Sequence, residues 1–430
     1  MRSCGTLRRW SIASLLCLLT GIALQGAPPT AAKAPAAGLP ALLREAVSAK
    51  GQARDPYLAK IRGAVGPDVN LAGVLRLASP LPRASRRLLA KTLSERGATA
   101  LMPQVIAAVG RKECSVQFAK ECCGSLGASA VPFLVGEVAS ELVPVRFLAA
   151  HGLGLYQDQC PESVAPLCKL AEDKDQATAL SALFSLRVFG PRPDMCGPVV
   201  RRLLVDKRPV VRLAAIAAVP RLVGPDPASI DRLLTIAADA TVALAERKAA
   251  VGIFDWFDSK ETLGRLDRLI GLLDDPEPAI RETMLMVLAG CRRLPDEVGE
   301  KLLRMLRATP SQPGISPALA HCSSVYAEAT PLVVKQLRTP DVALRREAAV
   351  YFDLVFFSGS YKLDPATREA LLPSVSDADI HVRLNTISAL RQYTTDPAVR
   401  KALQNQLRKE PNRRMQTVID AALARKPDPE

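Results

Sequence analysis

One phrase recurs along this 430-residue chain and limits what it can fold into. An acidic turn, often with Pro, leads into a Val/Ile–Arg pair and then into an Ala/Leu-rich stretch. It reads DKRPVVRLAAIAAVPRL at 206–222, DDPEPAIRETMLMVLAGC at 274–291, TPDVALRREAAVYFDLV at 339–355 and SDADIHVRLNTISALRQY at 376–393. A looser copy is SELVPVRFLAAHGLGLY at 140–156. Asp precedes Arg by six residues in Asp206–Arg212, Asp275–Arg281 and Asp377–Arg383, and by five in Asp341–Arg346. Aligning on the Arg gives Arg86, Gln117, Arg146, Ala177, Arg212, Arg247, Arg281, Ser316, Arg346, Arg383 and Arg414, at intervals of 29 to 37 residues. A period in this range marks a solenoid.

Each interval reads as two helices. In TLGRLDRLIGLL (262–273), Leu263, Leu266, Leu269, Ile270 and Leu273 recur at helical spacing. Pro276 and Pro278 then break the chain, and Pro278 suits the first turn of a second helix over 279–291. Such a hairpin cannot bury its apolar stripe alone, so neighbours must stack. Composition agrees. Hydrophobic residues make up 48% and aromatics only 4%, so the apolar content is mostly Ala, Leu and Val, which favours helices over a β-sandwich. That apolar share, against 23% charged residues, excludes a disordered chain. Apolar runs beyond residue 25 are short and charge-interrupted, against a polytopic membrane protein. The fold expected is an all-α solenoid of about ten helix-turn-helix repeats over 81–424, with 41–80 as an N-terminal helical cap.

The phrase resembles the HEAT repeat, in the short form also found in phycobilisome-lyase-type HEAT-like repeats. The match covers roughly residues 80–424 and is specific at four or five units. The resemblance implies an α-solenoid with an Asp in the turn within each unit and an Arg in the second helix, hydrogen-bonded to one another along the stack. On this sequence those are Asp206, Asp275, Asp341 and Asp377 with Arg212, Arg281, Arg346 and Arg383. A guanidinium held between helices needs fixed acceptors, and a turn carboxylate can supply two.

The N-terminus reads as an export signal over residues 1–26. Arg2, Arg8 and Arg9 precede an uncharged apolar run from Ser11 to Leu24, with small residues at Gly26 and Ala27. An uncleaved membrane anchor is the alternative. Residues 27–40 are Pro/Ala-rich and read as a linker, and 425–430 as a disordered tail. The chain is therefore expected to be periplasmic or secreted, with no membrane span once the signal is removed. Eight cysteines lie beyond the signal: Cys114, Cys122, Cys123, Cys160, Cys168, Cys196, Cys291 and Cys322. An even number in an exported chain makes disulfides plausible. Cys291 with Cys322, and Cys160 with either Cys168 or Cys196, are the pairs the spacing allows. Buried free thiols on Ala-rich helices are the other reading.

Little in the sequence speaks for catalysis. The three histidines, His151, His321 and His381, have no ligand spacing and lie in no short Cys/His cluster. No metallopeptidase, nucleophile-elbow or phosphate-loop motif is present, and GLGLY at 152–156 lies inside a helical unit. No catalytic residue, metal or cofactor is assigned. The net charge of +14, falling to +11 without the three signal arginines, allows an acidic partner, a polyanion or an anionic surface, or only solvated faces. An exported chain argues against nucleic acid. Two aromatic clusters, Phe254–Trp256–Phe257 and Phe356–Phe357–Tyr361, read either as core filling or as binding anchors. The function expected is an exported, non-enzymatic scaffold that binds a protein through a curved inner face lined by its second helices. An accessory of the lyase type and a module for polyanions or anionic surfaces are the alternatives.

Overall fold

The computed structural model describes residues 38–49, 55–66, 69–156, 160–256, 264–291, 293–357 and 361–424. The signal, residues 27–37 of the linker, the tail and Phe257 lie outside the described residues, as do the side chains of Phe356 and Phe357. The described elements are α-helices and short 3-10 turns, with no β-strand among them. None of these helices is long and apolar enough to cross a membrane. The chain divides into two compact units, one ending at Phe133 and one beginning at Leu134.

In the first unit, α1 (Leu39–Ser48) begins inside the stretch read as linker. It is followed by α2 (Asp55–Ala64), α3 (Leu71–Ala78), α4 (Arg83–Ser94), α5 (Ala98–Gly110) and α6 (Val116–Leu126). Helix α4 packs on α6 and α2, while α3 packs on α5. Short polar side chains start the helices. Asn70 accepts the Ala72 N–H at 3.1 Å, and Ser115 accepts the Phe118 N–H at 3.3 Å. Leu43, Ile61, Leu75, Leu89, Leu101 and Phe118 have no exposed surface and make the core. Each such side chain contributes about 1.5–3 kcal/mol. The division between units falls within α7 (Val131–Gly136).

The second unit is a row of helix pairs. The first helices are α9 (Val164–Ala171), α11 (Pro193–Leu203), α13 (Pro227–Ala238), α15 (Leu266–Gly271), α17 (Asp296–Ala308), α19 (Tyr326–Gln336), α21 (Pro365–Leu371) and α23 (Pro397–Lys409). The second helices are α8 (Val143–Gly152), α10 (Gln176–Leu186), α12 (Pro209–Leu222), α14 (Leu244–Gly252), α16 (Pro278–Gly290), α18 (Ile315–Leu319), α20 (Val342–Phe357), α22 (Ile380–Leu390) and α24 (Arg413–Ala424). Each second helix packs on the next one in the row. This is α-solenoid architecture, as the repeat predicts.

The turn chemistry explains the helix starts. Pro209, Pro278, Pro365 and Pro397 each begin a helix, where the missing N–H costs nothing. Asp175, Asp226 and Asp364 cap α10, α13 and α21 by accepting the N–H three residues on at 2.9 Å. Gly154, in the 3-10 turn after α8, has so little room that a Cβ there would stand 2.4 Å from the Ser185 Cβ of α10. Its place in GLGLY is thus one of close helix approach.

A candidate protein-binding face on the second helices

The arginines near the starts of the second helices share one arrangement. Nη1 donates to the two main-chain carbonyls six and five residues earlier, in the turn of the same repeat. Arg146 reaches Ser140 and Glu141 (2.8 and 3.1 Å), Arg212 reaches Asp206 and Lys207 (2.7 and 3.2 Å), and Arg281 reaches Asp275 and Pro276 (2.7 and 3.1 Å). Arg383 does the same with Asp377 and Ala378 (2.8 and 3.0 Å). Nε and Nη2 fork onto a carboxylate of the following repeat. These pairs are Arg146–Asp173, Arg212–Glu246, Arg345–Asp377 and Arg383–Glu410. Arg86 forks onto Glu121 in the same sense, while Arg247 puts only Nη2 on Asp275 and donates Nε to the Ala237 carbonyl at 2.9 Å. Bidentate geometry at part-buried sites makes these pairs strong relative to surface ion pairs.

This geometry changes the roles assigned from the resemblance. Arg212, Arg281 and Arg383 bond the main-chain oxygens of Asp206, Asp275 and Asp377, not their carboxylates. The Asp206 carboxylate is held by Arg208 at 2.9 Å, and those of Asp275 and Asp377 by arginines of the preceding repeat. Each of the three also accepts the N–H two residues on, at 2.8–3.0 Å, which shapes the turn. In the repeat of α20 the stacking residue is Arg345. Its Nη1 takes the Thr339 and Pro340 carbonyls at 3.1 and 2.9 Å, while Arg346 pairs with Asp379 at 2.5 Å and is half-exposed. Asp341 caps α20 through the Ala343 N–H at 2.8 Å. The sequence placed the register one residue late here, because two arginines adjoin and only packing tells them apart.

The weak repeats keep the same carbonyls satisfied by other means. The position six residues after Asp173 is Ala179, two beyond the Ala177 that the alignment assigned, and its side chain has no donor. Arg208 of the next turn takes the Asp173 and Lys174 carbonyls at 2.8 and 3.0 Å. At Ser316, Gln336 reaches the Pro310 carbonyl at 2.7 Å and accepts the Ser316 hydroxyl at 2.6 Å. In the last repeat Gln416 donates to the Glu410 carbonyl at 2.7 Å, so the position belongs to Gln416 and not to Arg414.

All eight cysteines are buried and free, so the disulfide expectation is not met in this structure. Cys168 and Cys196 stand 3.9 Å apart at sulfur. The thiols fill helix cores as small apolar groups. Burial pushes Cys114, Cys123 and Cys322 up to about 12, and Cys122 well above its ordinary value. Among the described residues no three His, Cys, Asp or Glu side chains converge to hold a metal.

The aromatic candidates separate. Phe254 is 1% exposed and belongs to the core. Tyr361 packs edge-on against Tyr326 at 5.5 Å, which meets the buried Tyr351 at 6.3 Å, and this cluster is core filling. Trp256 is 63% exposed, with the Arg221 guanidinium 5.6 Å from its ring centre.

One exposed face follows from the ladder. Counted from the carbonyl-bonding position, the residues one, five and eight further on share one side of each second helix. In α10 and its 3-10 extension these are Leu180, Phe184 and Arg187. In α22 they are Leu384, Ser388 and Arg391. Phe147 in α8, Leu213 in α12 and Met286 in α16 hold places in the same series. Phe184 and Met286 are 65% and 64% exposed. One groove is lined by Phe147, Leu180, Phe184, Arg187 and Ala214, and another by Asp353, Leu384, Ser388, Arg391 and Val418. The Nε atoms of Arg187 and Arg391, equivalent in the two repeats, are buried and have no hydrogen-bond acceptor among the described residues. Periodicity picked out Trp256 by its type. Phe184, Met286 and Arg187 were missed because their exposure depends on the ladder register.

Solved structures share this architecture. Yeast importin-beta (Kap95p) matches over 90% of this chain and 60% of its own, at TM-score 0.61 and 12% identity. The fold is a HEAT-type α-solenoid. A second structure, in which Kap95p binding induces the switch loops of RanGDP to adopt the GTP-bound conformation, matches over 89% of this chain and 59% of that one, at TM-score 0.57 and 12% identity. The CpcE–CpcF complex of phycocyanin lyase from Nostoc sp. PCC7120 covers 54% of this chain and 96% of its own at 15% identity. Its TM-score of 0.35 carries no argument. No family model and no curated protein matches the sequence. At these identities the HEAT likeness concerns the fold alone, and the chain spans about 60% of the length of the importin-beta structures it matches.

Proposed function

We propose that this chain is an exported, non-enzymatic scaffold that binds a partner protein through the exposed face of its second helices in the unit from Leu134 onward. The supporting observation is the groove in which the exposed Phe184 ring adjoins Arg187, whose buried Nε has no acceptor among the described residues. A large exposed ring beside a guanidinium suits a partner segment with an apolar side chain next to a carboxylate. Trp256 and Met286 supply further exposed apolar surface on the same row of repeats. The basic excess of the chain favours an acidic partner. Export is read from the basic start and apolar run of residues 1–26, and cell fractionation with N-terminal sequencing of the mature chain tests it.

The binding reading is tested by cross-linking the chain in an envelope fraction and quantifying captured proteins by mass spectrometry. A partner captured by the wild type should be lost with Phe184→Ala/Arg187→Ala, while the melting curve stays unchanged. Equal capture by wild type and variant would overturn the reading.

A further inference from the structure

The paired arginines Arg86 and Arg87 divide their work in the first unit. Arg86 enters the ladder, with Nη1 on the Leu81 carbonyl at 2.7 Å and its fork on Glu121. Arg87 points elsewhere, into a groove between α2 and α4 that it lines together with Arg83 and Lys91. These three stand four residues apart on α4, one helical turn or about 6 Å per step. All three are exposed, and among the described residues none has a hydrogen-bonded or salt-bridged carboxylate. The one acid in the lining, Glu95, is already held by a bidentate bond from Arg62 of α2 at 3.0 Å. The groove thus keeps a net charge of +3. Its floor is apolar, with Leu88 buried and Leu58 half-buried.

The ladder arginines Arg86, Arg146, Arg212 and Arg383 each find an acid. Lys91 also acts on Glu95, one turn further on, but Arg83 and Arg87 meet no carboxylate among the described residues, and three like charges in line one turn apart destabilise the helix that bears them. A counter-charged occupant removes that cost. We infer that the α2–α4 groove docks an acidic amphipathic helix of a partner protein. A helix with acids four residues apart repeats its charges at the same 6 Å step, and its apolar side can cover Leu58 and Leu88. The lining has no aromatic ring on which a base could stack, which favours protein over single-stranded nucleic acid. This site is separate from the face proposed above, and its variants leave that face intact.

The test is fluorescence anisotropy on the full chain with a labelled 15-residue helical peptide carrying Glu at every fourth position and Leu on the adjoining side. A scrambled peptide of the same composition and a 15-nucleotide oligothymidylate serve as comparisons. The amphipathic peptide should bind more tightly than either, and binding should weaken as salt rises from 50 to 300 mM. Arg83→Gln/Arg87→Gln/Lys91→Gln should weaken it by roughly tenfold or more, as expected for three lost charge contacts. Leu58→Ser should weaken it by about threefold, through lost apolar contact. Arg87→Gln alone gives a smaller loss in the same direction if the triple variant folds poorly. Undetectable peptide binding, an affinity indifferent to Arg87→Gln, or tighter binding of oligothymidylate would each overturn the inference.

Discussion

Arg208 Nη1 lies 2.8 Å from the main-chain oxygen of Asp173, a carbonyl of the preceding repeat that Ala179 cannot reach. The chain therefore maintains the hydrogen bond even where the arginine that usually makes it is missing. The reason is general: a carbonyl at a packed turn needs a donor once water is gone. Asp206 holds Arg208 in place through Nε and Nη2, both at 2.9 Å. Arg208→Ala should lower unfolding free energy by about 1–3 kcal/mol, the cost of orphaned acceptors. Urea titration measures it. A loss below experimental error would show that solvent serves those carbonyls equally well.

Glu410 and Arg383 make the most enclosed pair of the ladder for which both bonds are of ordinary length, 3.0 Å each. The side chain of Glu410 is fully buried and that of Arg383 is 11% exposed. Removing one partner leaves the other charge buried, so Glu410→Ala should cost about 3–5 kcal/mol. Burial alone would raise the Glu410 carboxyl. The bonds from Arg383, Gln406 and the Asn412 N–H outweigh it and hold the group below its usual value. Asp173 is lowered in the same balance, burial opposing and Arg146 prevailing. Asp206 is lowered chiefly by its bond to Arg208. A carboxyl lowered in the folded state binds fewer protons than in the unfolded chain. Its stabilisation is complete above the unfolded value, about pH 4, and is lost as pH falls below it. Urea midpoints should hold steady from pH 7 to 5 and fall between pH 4 and 2. A midpoint that stayed constant down to pH 2 would refute this.

Gly154 is required for the approach of α8 to α10. Gly154→Ala puts a methyl group against Ser185 with its Cα only 3.0 Å away, so the backbone must move. A loss of about 1–3 kcal/mol is expected. Gly252→Ala meets nothing within 4 Å and serves as the control, with a change near zero or a small gain.

The thiols should be inert in the folded chain. The thiolate is the reactive form, and burial holds Cys114, Cys122, Cys123 and Cys322 far above pH 8. Iodoacetamide at pH 8, followed by peptide mapping, should leave these four unmodified in the native protein and alkylate them all after unfolding in guanidinium. Native alkylation at Cys122 would contradict the packing.

The repeat made the architecture legible because its logic is local. Acid, Pro and Arg at fixed offsets start and orient a helix within a few residues, and the apolar stripe then requires a neighbour. Pro278 begins α16 in the structure, as its place in the phrase suggests. Which arginine enters the ladder was not local. Arg345 and Arg346 have the same chemistry and differ by one helical step, about 100° around the axis, so only the packed neighbour selects between them. The same holds for Phe254 and Trp256, two residues apart, one buried and the other 63% exposed. Sequence alone determined that helices would pair and stack, because backbone geometry and capping are set by near neighbours. Tertiary structure decided which carboxylate meets each guanidinium and which side chains remain outside, because those depend on the angle at which one repeat rests on the next.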